Sequence, residues 1–170
     1  GTNWVEVSTP TSPNLANNQA MAYDRKRREI VMFGGCGNGD RIWRYDGTDW
    51  TAGPTGPGAR NTHSMAYQVP AQRTVIFGGS VACSYDERQD TWEWNGTSWS
   101  EVTPEGSPST RWGTALEYSP SNRGLIGFGG GPDGPALNDT WLYIACTDDQ
   151  DCDGVLDASD NCDDQPNRCP

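Results

Sequence analysis

Three apolar runs in this chain each end in a pair of glycines: Ile30-Val31-Met32-Phe33-Gly34-Gly35, Thr74-Val75-Ile76-Phe77-Gly78-Gly79 and Leu125-Ile126-Gly127-Phe128-Gly129-Gly130. The phenylalanines stand 44 and 51 residues apart. A period of that size signals a repeated structural unit. Before each run lies a short half-apolar strand: Ala20-Met21-Ala22-Tyr23, Ser64-Met65-Ala66-Tyr67 and Thr114-Ala115-Leu116-Glu117-Tyr118. After each Gly pair comes an aromatic strand: Ile42-Trp43-Arg44-Tyr45, Thr91-Trp92-Glu93-Trp94 and Thr140-Trp141-Leu142-Tyr143. The first two continue through Asp46-Gly47-Thr48 and Asn95-Gly96-Thr97 into Trp50 and Trp99. Asp-Gly and Asn-Gly favour a two-residue hairpin, in which both central residues take φ > 0. Each unit therefore reads as four short antiparallel strands. With 21 Gly, 12 Pro and 8 Trp in 170 residues, the composition agrees with a β protein of many tight turns.

One such unit is too small to bury its own apolar faces. Stacking units face to face buries them, which is the propeller solution. The Gly pair then has a physical role, since two residues without Cβ allow a sharp turn and a close approach by the next unit. The pattern resembles the kelch repeat: an Arg-x-x-His-Ser-Met-x-Tyr strand, an apolar strand closing in Gly-Gly, then Trp-x-Tyr and a final Trp. The second unit matches most fully, with Arg60, His63, Ser64, Gly78, Gly79, Trp92 and Trp99. The third keeps Arg111, Gly129, Gly130 and Trp141, while the first has Asn14-Leu15-Ala16-Asn17 where the leading Arg would stand.

The expected fold is all-β, with about three four-stranded kelch-type blades at residues 16–52, 60–102 and 110–145. Gly1-Thr2-Asn3-Trp4 matches Gly47-Thr48-Asp49-Trp50 and Gly96-Thr97-Ser98-Trp99, so residues 1–8 read as the fourth strand of a preceding or closing blade. The last blade stops on its third strand, because Cys146 follows where Asn-Gly-Thr-x-Trp would be. Three blades do not close a ring of the usual four to eight, and open sheet edges attract partners. Completion is expected from further chain, from a second copy, or from chain-to-chain pairing in a polymer, the first of these being favoured. The start at Gly1, without Met or signal peptide, reads as a processed product or a piece of something longer.

The net charge of −11 is concentrated at the end: from Cys146 onward there are eight Asp and one Arg. Nothing in that balance would neutralise phosphates, so nucleic acid is not an expected partner. No apolar run is long enough to span a bilayer, and the chain reads as soluble. Counting Asp149 as position 1, acids fall at 1, 3, 5, 9 and 12, with Gly154 at position 6. That is the spacing of a twelve-residue calcium loop. The expected Ca²⁺ ligands are Asp149, Asp151, Asp153, the Val155 carbonyl, Asp157 and Asp160. Alternate carboxylates converge as the chain curls, and Gly154 permits the bend. The competing reading is a solvated acidic tail, but a random run of acids would rarely place Gly and five acids in this register. With Asp160-Asn161-Cys162 and Pro166-Asn167, residues 146–170 resemble a thrombospondin type 3 repeat. That resemblance implies an extracellular, disulfide-linked segment wrapped around calcium. The usual following acidic loop is absent; Arg168-Cys169-Pro170 stands there instead.

Four of the six cysteines lie in the tail, which favours disulfides and an oxidising compartment over a zinc site. Cys146–Cys152, Cys162–Cys169 and Cys36–Cys83 are candidate pairs, and the connectivity stays open. Catalysis is not expected. His63 is the single His and reads as a hydrogen-bonded repeat residue. Ser64 beside it would point to the opposite face of the strand. The copper oxidases among kelch-like propellers use two His and a Tyr. Glu87 and Asp90 read as solvated loop charges. Arg60 and Arg111 are expected to pair with Asp90 or Asp139 rather than with a ligand. The Trp residues read mostly as packing residues, and the Asn95 and Asn138 sequons are accounted for by turn chemistry. The expected role is an extracellular calcium-binding interaction module, with a polymer subunit as the alternative and an unknown protein or carbohydrate as ligand.

Overall fold

The computed structural model describes residues 1–14, 16–81, 84, 86–132 and 134–145. The expected calcium ligands, five of the six cysteines and the whole 146–170 segment lie outside them. Among the described residues the chain is all-β and antiparallel. β1 (Ala20–Asp24), β2 (Glu29–Phe33), β3 (Arg41–Tyr45) and β4 (Trp50–Thr55) form a first sheet in chain order. Next come β5 (Arg60–Asn61), β6 (Ser64–Gln68), β7 (Arg73–Phe77), β8 (Ser80–Val81), β9 (Thr91–Trp94) and β10 (Trp99–Val102). Of these, β6, β7, β9 and β10 make a second four-stranded sheet, while β5 and β8 pair as a two-stranded ribbon. β11 (Ala115–Ser119), β12 (Gly124–Phe128) and β13 (Thr140–Tyr143) make a third sheet of three strands. These sheets do not close on themselves.

The registers repeat. β1 meets β2 through Ala20↔Phe33, β6 meets β7 through Ser64↔Phe77, and β11 meets β12 through Ala115↔Phe128. The first strands lie side by side, with β6 between β1 and β11. The consequence is visible in burial. Every residue of β6 is buried, whereas β1 buries only Asp24 and β11 has no buried residue. One apolar core, with Val31, Phe33, Ile42, Met65, Ile76 and Trp94, lies between the first two sheets. A smaller one, with Ala66, Val75 and Leu125, joins the second and third.

The Asp-Gly and Asn-Gly turns differ from expectation. Only the glycines take positive φ, +100° at Gly47 and +97° at Gly96. The paired residues Tyr45↔Trp50 and Trp94↔Trp99 enclose four-residue turns, not two-residue ones. The side chain at the first turn position explains this. Asp46 Oδ1 accepts from the Thr48 and Asp49 amides at 2.8 and 3.0 Å, and Asn95 Oδ1 accepts from Thr97 and Ser98 at 2.8 and 2.9 Å. A side-chain acceptor there holds an Asx turn and keeps its own residue out of the left-handed region.

Candidate functional site

The glycine pairs carry the joint between sheets. The Gly35 amide donates to the Arg60 carbonyl at 2.8 Å, and the Gly79 amide donates to the Arg111 carbonyl at 2.9 Å. A Cβ on Gly34 would sit 2.4 Å from that same Arg60 oxygen, and one on Gly78 2.6 Å from the Arg111 oxygen. A second chain of bonds runs beside the first: Thr62 donates to Asn18 O at 2.9 Å, and Gly113 donates to Thr62 O at 2.8 Å. Asn18, Thr62 and Gly113 all take positive φ, at +59°, +50° and +71°. Only the third is a glycine, so composition hid this repeat feature.

Each leading arginine is held inside its own sheet. Arg60 Nη1 and Nη2 donate to Asp90 at 2.9 and 2.7 Å, to the Gly78 carbonyl at 3.2 Å and to the Pro57 carbonyl at 2.7 Å. Arg111 repeats the arrangement with Asp139 at 2.6 and 2.9 Å and the Gly129 carbonyl at 3.1 Å. Trp92 and Trp141 add indole N–H donors to the same carboxylates, at 2.8 and 2.7 Å. The Arg111 and Trp141 bonds hold the Asp139 carboxyl down at about 2. Burial opposes ionisation of Asp90, but Arg60, Trp92 and Arg88 together lower its pKa. The arginines thus pair as expected. Asp90, however, is a structural anchor and not a solvated loop charge. Neighbouring Glu87 forms an antiparallel β-bridge with Ser80.

The first sheet lacks this unit in both halves, with Ala16 for the arginine and Arg41 for the aspartate. Arg41 turns instead to the Gly53 carbonyl at 2.7 Å. The outer ion pair is likewise reversed between sheets: Glu29 faces Arg44 at 3.8 Å, and Arg73 faces Glu93 at 3.6 Å. Charge has been exchanged between strands while the register is kept.

His63 is 6% exposed and packs edge-on against Phe33, with ring centroids 5.7 Å apart. Neither ring nitrogen has a hydrogen-bond partner among the described residues, in contrast to the hydrogen-bonded blade residue expected. Burial, reinforced by the Arg60 charge and partly offset by Asp90, lowers its pKa to about 3. The folded chain therefore keeps His63 neutral where the unfolded chain, with an ordinary pKa near 6.5, takes up a proton. Stability contributed by the neutral imidazole is full above pH ~6.5 and declines as pH falls from there toward about 3. Between pH 7 and 5 the wild-type chain is expected to lose stability by on the order of 1–2 kcal/mol. His63→Gln is expected to flatten that slope in urea unfolding. An unchanged slope in the variant would assign it to other groups.

What remains open are two faces and one edge. The phenylalanines before the glycine pairs show why: Phe33 is 0% exposed and Phe77 8%, each covered by the following sheet, but Phe128 is 54% exposed. Trp141 and Leu142 are also exposed on the third sheet. On the far side of the molecule, the first sheet exposes Met21 and Tyr23. A groove between the second and third sheets is lined by Phe77, Gly106, Leu116, Leu125, Trp141 and Tyr143. Residues 1–9 form no strand, and Trp4, Val5 and Val7 are exposed. Among the described residues β13 has no fourth-strand neighbour.

Cys36 is disulfide-bonded, and the Cys83 expected to pair with it lies outside the described residues. Among the described residues no three His, Cys, Asp or Glu side chains gather as metal ligands.

No protein-family model matches the chain, and no curated protein matches it. The solved structure of YjhT is similar in fold, with a TM-score of 0.59 and 15% identity over 78% of this chain. The match covers 44% of that chain, so the present sequence spans less than half its length. At this identity the likeness bears on the fold alone.

Proposed function

We propose that the three sheets are kelch-type propeller blades forming an incomplete ring, and that the chain serves outside the cell as a calcium-binding interaction module. Its blade faces bind or assemble, and the loop from Asp149 to Asp160 takes up Ca²⁺ and stiffens the segment that follows. The observation that carries the reading is the contrast between a middle blade covered on both sides and outer blades that each leave large apolar side chains in water. Contiguous exposed apolar patches of this kind mark association sites. The structural-polymer reading rests on the same observation, because the two open faces are on opposite sides and different from one another. Such head-to-tail contacts either close or propagate. The arginine–aspartate units and the Trp92 and Trp141 indole donors are engaged in holding the blades, and His63 is buried against Phe33, which supports binding over catalysis.

Two measurements test it. An apolar fluorescent dye is expected to bind single chains at high dilution, and Phe128→Ser is expected to weaken that binding. Calorimetric titration with Ca²⁺ is expected to give saturable heat that a chelator reverses and that Asp151→Asn with Asp153→Asn abolishes. Absence of dye binding removes the open faces from the reading, and absence of heat removes the calcium.

A further inference from the structure

The geometry points to a strand exchange between two copies of this chain: residues 4–7 of one copy complete the third blade of the other as a fourth strand, which that blade lacks among the described residues. This rests on the blade reading above and names the partner. Residues 1–7, Gly-Thr-Asn-Trp-Val-Glu-Val, share five of seven identities with residues 96–102, Gly-Thr-Ser-Trp-Ser-Glu-Val. The latter are the turn and fourth strand of the second blade. In that blade Trp99 lies against Phe33 of the preceding blade at 5.2 Å and against Trp94 of its own at 5.3 Å. It also covers Gly56, where a Cβ would come within 2.7 Å of the indole nitrogen. The groove beside the third blade offers the corresponding set: Phe77 for Phe33, Tyr143 for Trp94, and Gly106 seven residues past Trp99 as Gly56 is six past Trp50. Among the described residues that groove has no tryptophan on a fourth strand. Trp4 is 102% exposed.

The register follows from the second blade, where Trp99↔Trp94, Ser100↔Glu93, Glu101↔Trp92 and Val102↔Thr91 pair. Transferred, it sets Trp4 opposite Tyr143, Val5 opposite Leu142, Glu6 opposite Trp141 and Val7 opposite Thr140. The polar pair Ser100↔Glu93 thereby becomes the apolar pair Val5↔Leu142, and both of those side chains are now exposed. A generic fourth strand would not supply that match.

Chain length decides which copy donates. Twelve residues, 103–114, separate β10 from β11, and twelve, 8–19, separate Val7 from β1. A fourth strand therefore belongs to the blade before the one it leads into. For residues 4–7 that blade adjoins the Met21 and Tyr23 face of the first blade, whereas this copy's own third blade lies beyond the second. A second copy's third blade has the needed edge and the needed open face. Reciprocal donation closes two chains into one ring of six blades.

Light scattering on the full chain is expected to give twice the 18.5 kDa mass, and deletion of residues 1–8 to give single chains. Trp4→Ala is expected to weaken association at least tenfold without unfolding either chain. Mixing a Val5→Cys chain with a Leu142→Cys chain under mild oxidation is expected to yield a linked pair. A Glu6→Cys chain mixed with the same Leu142→Cys chain should not link, because alternate residues face opposite sides. A doubled mass that survives the deletion, mass that grows without limit, or no Val5–Leu142 link would each overturn the exchange. Single chains that bind the apolar dye overturn the exchange but leave the open-face reading standing. Single chains that bind no dye overturn both.

Discussion

Arg60→Ala is expected to lower the unfolding free energy by about 3 kcal/mol, one of the two largest single-site effects in the molecule. The guanidinium side chain is 0% exposed and ties one carboxylate to two carbonyls from separate segments. Alanine would leave the Gly78 and Pro57 carbonyls without that donor and Asp90 with only Trp92 and the 3.9 Å contact to Arg88. Removing one member of a buried pair strands the other, which is why the cost exceeds that of an ordinary hydrogen bond. The lower end of the range applies because the Asp90 side chain keeps 20% of its surface in water. Arg60→Lys is expected to recover less than half, since a single ammonium cannot reproduce the planar fork. Arg111→Ala makes the comparison, with Asp139 37% exposed and free to be rehydrated, so its cost should be clearly smaller. Urea midpoints of the three variants decide it. Equal midpoints for wild type and Arg60→Ala would show that the pair contributes nothing net.

The second large effect is expected at Gly34, with Gly39 as its internal control. Both take nearly the same left-handed backbone, φ +68° and +70°. Alanine at Gly39 meets open space and should cost only the backbone term of ~1–2 kcal/mol. Alanine at Gly34 adds a Cβ 2.4 Å from the Arg60 carbonyl and 2.7 Å from the His63 ring. The carbonyl belongs to the backbone of the next sheet, so relief requires the two sheets to part. That adds ~1–3 kcal/mol of overpacking and stretches the Gly35–Arg60 bond. Gly78→Ala, facing the Arg111 carbonyl, should behave like Gly34→Ala. If Gly34→Ala and Gly39→Ala unfold at the same denaturant concentration, the glycine pair has no role in the joint and serves the turn alone.

Much of this architecture was legible because a repeat states each requirement several times. Gly-Gly after an apolar run predicted close approach, and the Arg60 and Arg111 carbonyls are what approach. Pairing of the arginines with Asp90 and Asp139 was also legible, since both acids stand immediately before the aromatic strand. Other features were hidden by chemistry that does not track composition. Arg28, Gln72 and Arg123 share a positive φ in the turn after each first strand, without a Gly or Asn to announce it. The β5–β8 ribbon is only two residues long on each side, too short to leave a periodic signal. Asp46 and Asn95 resemble hairpin residues in sequence, but their side chains accept two amides each and set a longer turn. The calcium loop was read from spacing alone.

By itself, the sequence determined the strands that recur in the three units and the repeat phase, because alternation, Gly pairs and turn residues act locally; it also read residues 1–8 as a strand, which they do not form, and left β5 and β8 unread. It also determined that three units cannot bury all their faces. Only the tertiary structure decided which faces those are. The same phenylalanine is buried at positions 33 and 77 and exposed at position 128, although all three precede Gly-Gly. Local sequence cannot distinguish them, since the difference lies in whether another sheet follows. Burial is a property of the neighbour, and neighbours in a stacked repeat are supplied by assembly rather than by the run itself.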